Sequence, residues 1–170
     1  MTDEPQSILD HLEELRWRIL KMGIAIFAGA VVAFFFADQL RALLEAPFEA
    51  AMPDNQLQAL EVGEEWGVLM RIALFGGLIL AMPVILYQIW AFINPALTGT
   101  ERRWAVPIVT ALVVLFVGGV AFGYLILPRG LDFLLNIFDN VENNLLIGRY
   151  YSFVLRFLFA FGLAFLFPVF

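Results

Sequence analysis

IALFGGLILAMPVILYQIWAFINPALTGT, residues 72–100, contains no charged side chain. An α-helix crossing a hydrocarbon core of about 30 Å uses roughly 20 mostly apolar residues, and this run is longer than that. Lipid offers no partner to a backbone N–H or C=O, so a spanning segment is either a helix or part of a closed barrel. The apolar residues here are contiguous and do not alternate, which excludes a barrel strand. Residues 22–37 and 104–128 repeat the same pattern, and residues 157–170 form a fourth apolar run. The chain therefore reads as an all-α, polytopic helical membrane protein, a single membrane domain over residues 1–170.

Composition agrees. Hydrophobic residues make up 62% of the chain and the mean hydropathy is +0.85, well outside the globular range. With no cysteine, disulfides, Fe–S clusters and thiolate metal sites are excluded. The single histidine, His11, excludes a His-rich metal site, and no cofactor or metal is expected. A net charge of −6 lacks the basic face that nucleic acid requires. Asp3, Glu4, Asp10, Glu13 and Glu14 precede the first apolar run, whereas a cleavable secretory signal opens with basic residues. The first span is therefore expected to be retained. The last residues, Phe165 to Phe170, are apolar without a polar flank, so the chain reads as a fragment of a longer protein.

Ser7-Ile8-Leu9-Asp10 fits a capping box. Ile8, Leu12, Leu15 and Ile19 then recur at helical spacing, predicting an amphipathic segment over residues 1–18 at the membrane surface. Spans are expected at about 19–37, 69–93, 104–127 and 150–170. Ala25, Gly29 and Ala33 form a small-residue row, and Gly119 and Gly123 a second, each suited to close helix approach. Pro83 lies inside span 2 as an expected kink, and Pro128 is expected to close span 3. Segments 38–66 and 129–149 read as acidic loops, the first holding Pro47 and a short interfacial helix around Ala42, Leu43, Leu44 and Phe48. Lys and Arg are densest at Arg16, Arg18 and Lys21 and at Arg102 and Arg103. The positive-inside rule then places the N-terminus and the 94–103 loop in the cytoplasm, with the two acidic loops external.

Two carboxylates stand at helix ends on that cytoplasmic side, Glu14 before span 1 and Glu101 before span 3. Arg16, Arg102 and Arg103 surround them. As local structure they are solvated helix ends, and the Glu14–Arg18 spacing is the i,i+4 order that stabilises an isolated helix by about 0.2–0.5 kcal/mol.

The residues also carry a resemblance. His11-Leu12-Glu13-Glu14-Leu15-Arg16-Trp17-Arg18 resembles the HLxELRxR motif of the TatC family, the multispanning subunits of twin-arginine protein translocases. Residues 83–97, PVILYQIWAFINPAL, followed by Glu101-Arg102-Arg103, resemble the family's second conserved block, which includes Gln88 and Phe92. Phe161-Gly162, Phe165 and Pro168 are similar to its fourth span. The resemblance implies a TatC-like bundle, with four spans present of an expected six and C-terminal truncation. It further implies a receptor for twin-arginine signal peptides and a core subunit that exports folded proteins with the proton-motive force. Implied partners are small single-span subunits of the TatA/TatB type, the lipid bilayer and further copies of the chain. The implied location is a bacterial or archaeal cytoplasmic membrane.

By motif position, Glu14 and Glu101 are expected to meet the signal's paired arginines, with Arg16 and Phe92 shaping the site. Arginine stays protonated in proteins, so a site for two guanidiniums needs fixed carboxylates. Neighbouring side chains of an extended peptide point opposite ways, so two carboxylates on separate helix ends suit them better than one. Pro47 matches a loop proline of the family and Trp66 an aromatic entering span 2, with turn formation and interface anchoring as their structural readings. His11 is expected to pack or cap. One departure concerns Leu166, which stands where the family commonly has an intramembrane carboxylate or amide; Arg156 is instead the charge in span 4. The alternative reading, a small-molecule or ion transporter fragment, would require charges near the midplane or broken helices, which spans 1 to 3 lack. An enzyme would need a convergent polar site, and none is visible.

Overall fold

A computed structural model describes residues 8–53, 57–59, 63–93, 105–136 and 146–169. The described residues form five α-helices: α1 Ile8–Phe35, α2 Ala37–Ala51, α3 Glu64–Ile93, α4 Ala105–Asn136 and α5 Ile147–Leu166, with a 3₁₀ turn, Phe167–Val169, closing the last. Among the described residues four stretches are long and apolar enough to cross a membrane: His11–Phe35, Glu64–Phe92, Val106–Leu134 and Ile147–Leu166. Among the described residues the extended backbone amounts to one isolated bridge, Gln58 to Leu146.

The small-residue rows set the packing. α1 and α3 make the most extensive pairing, followed by α4 with α5. A Cβ placed on Gly77 would sit 2.2 Å from the Ala30 nitrogen, and one on Gly29 would sit 2.6 Å from the Gly77 oxygen. The two backbones are therefore in direct contact. Ala33, 1% exposed, packs beside Gly76 on the same seam. Across α4 and α5, a Cβ on Gly119 would lie 2.5 Å from the Phe161 oxygen. Lipid gives helices no hydrophobic drive to associate, so close van der Waals contact through small residues has to supply it.

α2 packs against α4 and the first turns of α3 and α5 and is pinned by tyrosines. The hydroxyls of Tyr124, Tyr150 and Tyr151 donate to the Leu43 carbonyl at 2.8 Å, the Leu44 carbonyl at 2.6 Å and Glu45 Oε1 at 2.6 Å. Arg41 Nε donates to the same Glu45 oxygen at 3.0 Å, a bond that raises the Arg41 guanidinium above its ordinary value. Phe48 packs edge-on against Tyr150, within a core that includes Ile72, Leu127 and Val154. A second core gathers Met82, Leu86, Leu112, Phe116 and Leu166.

The described part of the amphipathic segment runs into the first span as one helix, as expected. Other expectations are corrected. Pro128 does not close the third span, since α4 runs through it to Asn136. Buried Leu127 and Leu131 on either side hold the next turns in place despite the missing backbone donor. Pro47 forms no turn. It sits buried inside α2, and because it lacks an N–H it leaves the Leu43 carbonyl without its helical donor, the carbonyl that Tyr124 takes up. Pro83 lies inside α3, Pro168 in the closing 3₁₀ turn, and Trp66 in the first turn of α3 at 68% exposure. The capping residue Ser7 lies outside the described residues.

Candidate functional site

The start of α1 and the end of α3 meet as antiparallel neighbours, and their facing positions follow from helical spacing. His11, Glu14 and Arg18 recur at i, i+3 and i+7 on one face of α1. Opposite them, Gln88, Ala91 and Phe92 recur at i, i+3 and i+4 on α3. The His11 and Phe92 rings stack with centroids 4.5 Å apart and an interplanar angle of 21°. This is the packing role expected of His11.

Arg18 ties the face together. Its Nε donates to Glu14 Oε1 at 3.0 Å and its Nη2 donates to the same oxygen. Nη1 donates to Gln88 Oε1 at 3.2 Å, and Nη2 also donates to the Ala91 carbonyl at 2.9 Å. That carbonyl belongs to the last turn of α3, whose four final C=O groups have no partner within the helix. A guanidinium there satisfies one of them and complements the negative end of the helix dipole. Its side chain is 18% exposed and that of Glu14 is 28% exposed, so the pair is partly shielded from screening.

Glu14 thus spends one oxygen on Arg18. Its other oxygen, Oε2, has His11 Nδ1 at 4.0 Å. Arg16 is exposed and projects nearly opposite Glu14 on the α1 wheel. Phe92 is half-buried and lies against His11. Trp90, also in the last turn of α3, has a buried indole Nε1 with no hydrogen bond among the described residues. The structure therefore brings Glu14 and Phe92 together and leaves Arg16 apart. Glu101, Arg102 and Arg103 lie outside the described residues. Arg18 is the residue whose part in the site the sequence reading missed, having taken it only as a helix-stabilising partner, whereas Gln88 was expected as a secondary residue of its motif. A long polar side chain near the end of each of two neighbouring apolar helices is the signal that would have found it.

Chemically, the face is a carboxylate that already coordinates a guanidinium, bordered by an aromatic stack and helix-end carbonyls. Among the described residues no group of three potential metal ligands occurs.

The family model described as Sec-independent protein translocase protein (TatC) matches residues 10–170. The TatC protein of Aquifex aeolicus is 39% identical over 166 residues, which is 95% of this chain and 69% of that protein. The TatC protein of Carboxydothermus hydrogenoformans is 35% identical, covering 99% of this chain and 70% of its own length. The chloroplastic TATC protein of Arabidopsis thaliana is 40% identical over 98% of this chain, of which the chain spans 49%. A crystal structure of the twin arginine translocase receptor TatC superimposes with a TM-score of 0.86 at 39% identity, over 94% of this chain and 72% of that one.

Proposed function

The chain belongs to the TatC family, and from that premise we propose that its α1–α3 end receives the paired arginines of a twin-arginine signal peptide. Glu14 takes one guanidinium and Glu101 takes the other. Arg16 and Phe92 shape the approach, and Arg102 and Arg103 border it. The chain would work as a core subunit of a Tat translocase that exports folded proteins on the proton-motive force, with TatA/TatB-type single-span partners and further copies of itself. It would do so in a bacterial or archaeal cytoplasmic membrane, with its N-terminus in the cytoplasm and no covalent chemistry of its own.

The observation that carries the reading is the Glu14–Arg18 contact. The carboxylate is placed at a helix end, partly shielded, in a geometry that already accepts a guanidinium. Charge-assisted arginine–carboxylate bonds are short, often bidentate and about twice as strong as neutral ones. A lysine ammonium presents a point charge instead of a planar fork, so the site should discriminate between the two cations.

The test is binding of fluorescent twin-arginine and twin-lysine peptides to the protein in lipid nanodiscs. Glu14→Ala and Glu101→Ala should each weaken twin-arginine binding by about 1–3 kcal/mol, and the twin-lysine peptide should bind more weakly throughout. Arg18→Ala frees Glu14 of its internal partner and should not reproduce the Glu14→Ala loss. Equal binding of the two peptides, or normal binding by Glu101→Ala together with matched losses in Arg18→Ala and Glu14→Ala, would overturn the site. Labelling of a cysteine placed at Thr98 by an impermeant reagent outside intact cells would overturn the orientation.

A further inference from the structure

At the opposite end of the bundle, a cleft of about 1060 Å³ opens between the N-terminal turns of α3 and α5. Three of the chain's ten basic residues line it, Arg71, Arg149 and Arg156, and among the described residues the one carboxylate in the lining is Glu64. In a chain of net charge −6, this is a local excess of positive charge.

Two of these groups are built into the wall. Arg71 Nη1 donates to the Gly148 carbonyl at 2.9 Å and to Ser152 Oγ at 3.0 Å. Glu64 Oε1 accepts from the Gly148 nitrogen at 3.1 Å. A Cβ on Gly148 would fall 2.6 Å from that Glu64 oxygen and 3.2 Å from Arg71 Nη1, so the glycine makes room for both. The side chains of Arg149 and Arg156 are exposed and form no hydrogen bond or ion pair among the described residues.

Arg149 and Arg156 lie two helical turns apart on one face of α5, a rise of about 10 Å. Phe153, Phe157 and Ala160 continue that wall farther along the same face of α5. α5 is barely long enough to cross a hydrocarbon core of about 30 Å, so Arg156 sits within the leaflet and not above it. An arginine at that depth needs either an anion drawn to it or an outward-reaching side chain. The layout, guanidiniums above and an aromatic–aliphatic strip below, matches a molecule that is anionic at one end and apolar along the rest.

We propose that this cleft binds one anionic phospholipid, its phosphodiester held by Arg149 and Arg156 with Arg71 behind them, and an acyl chain along Phe153, Phe157 and Ala160. The leaflet is the one at the α3 and α5 N-terminal ends, whichever side of the membrane that is. The excess of arginine over Glu64 favours a net-negative headgroup over a zwitterionic one. The apolar strip favours a lipid over a soluble phosphate. The site is independent of signal-peptide recognition at the far end.

Native mass spectrometry of the full chain, released from micelles doped with phosphatidylglycerol or phosphatidylcholine, reads the proposal directly. One phosphatidylglycerol should be retained, and phosphatidylcholine much less. Arg149→Gln and Arg156→Gln should each reduce retention about fivefold, and the double variant should lose it. The double lysine variant, which keeps both charges, should retain it. Arg129→Gln, an exposed arginine of α4 that does not line the cleft, should leave retention unchanged. Inorganic phosphate and deacylated glycerophosphoglycerol at millimolar concentration should fail to displace the lipid. Equal retention of the two lipids, undiminished retention by a folded double glutamine variant, or displacement by either soluble anion would overturn the lipid site.

Discussion

Gly77→Ala adds a single methyl group and should disturb both the packing of the bundle and its far-off binding end. The new Cβ would lie 2.2 Å from the Ala30 nitrogen, 2.4 Å from the Ala30 Cα and 2.7 Å from the Gly29 carbonyl carbon. All three are backbone atoms, so no side chain can turn aside to make room. Restoring an ordinary carbon contact of about 3.5 Å requires α1 and α3 to separate by roughly 1 Å. Overpacking of this kind costs about 1–3 kcal/mol, only partly offset by the alanine's helix preference of about 0.5–1 kcal/mol. The separation also reaches Arg18, whose bonds to Gln88 and Ala91 measure 3.2 and 2.9 Å and lie roughly 16–21 Å along α3 from Gly77. Lengthening both past about 3.5 Å weakens them steeply, and the same separation moves Phe92 on α3 away from His11 and Glu14 on α1, so twin-arginine peptide binding should fall alongside stability. Equilibrium unfolding in mixed micelles, followed by circular dichroism, gives the first quantity and peptide titration in nanodiscs gives the second. Gly23→Ala and Gly118→Ala are internal controls, because a Cβ at either meets nothing within 4 Å; both should be neutral or slightly stabilising. Gly77→Ala behaving like those controls would refute the close α1–α3 approach and everything derived from it.

Three further outcomes are expected. Arg18→Ala should destabilise the fold by about 1.5–3 kcal/mol, more than Glu14→Ala, because it also strips the Gln88 and Ala91 contacts; chemical denaturation of the two variants and of Arg18→Lys checks this. Tyr124→Phe should cost about 0.5–1.5 kcal/mol but less in a Pro47→Ala background, where an alanine N–H can serve the Leu43 carbonyl; the two costs are compared by a double-mutant cycle. Leu166→Glu places a carboxyl at a position 5% exposed beside Met82, Leu86, Leu112 and Phe116. It should destabilise strongly, while Leu166→Met stays within about 1.5 kcal/mol, as thermal unfolding in detergent would show.

Much of the architecture was legible in the residue order. Apolar runs that, with their flanks, are about as long as a bilayer core is thick leave a helix as the only economical state for the backbone, so the existence of four spans needed no tertiary information. The rows at Gly29 and Ala33 and at Gly119 and Gly123 were recognisable as contact seams for the same reason, since only small residues let two helices touch in lipid. Glu14 and Phe92 stood out because the motifs that contain them resemble a known family.

Other features depended on which helix lies beside which, and residue order does not state that. Arg18 looked like a local partner of Glu14 until α3 supplied Gln88 and the Ala91 carbonyl, groups some seventy positions away in the chain. Pro47 and Pro128 looked like breaks because proline removes a helical hydrogen bond. They are tolerated inside helices because Tyr124 serves the freed Leu43 carbonyl in one case and buried neighbours hold the following turns in the other. The arginine-lined cleft arises only when the starts of α3 and α5 are set side by side, which gathers Arg71, Arg149 and Arg156 around one opening. Local sequence decides whether a segment is helical and apolar, because those are properties of a residue and its near neighbours. Which charges share a site is decided by packing, because that depends on distances between segments far apart in the chain.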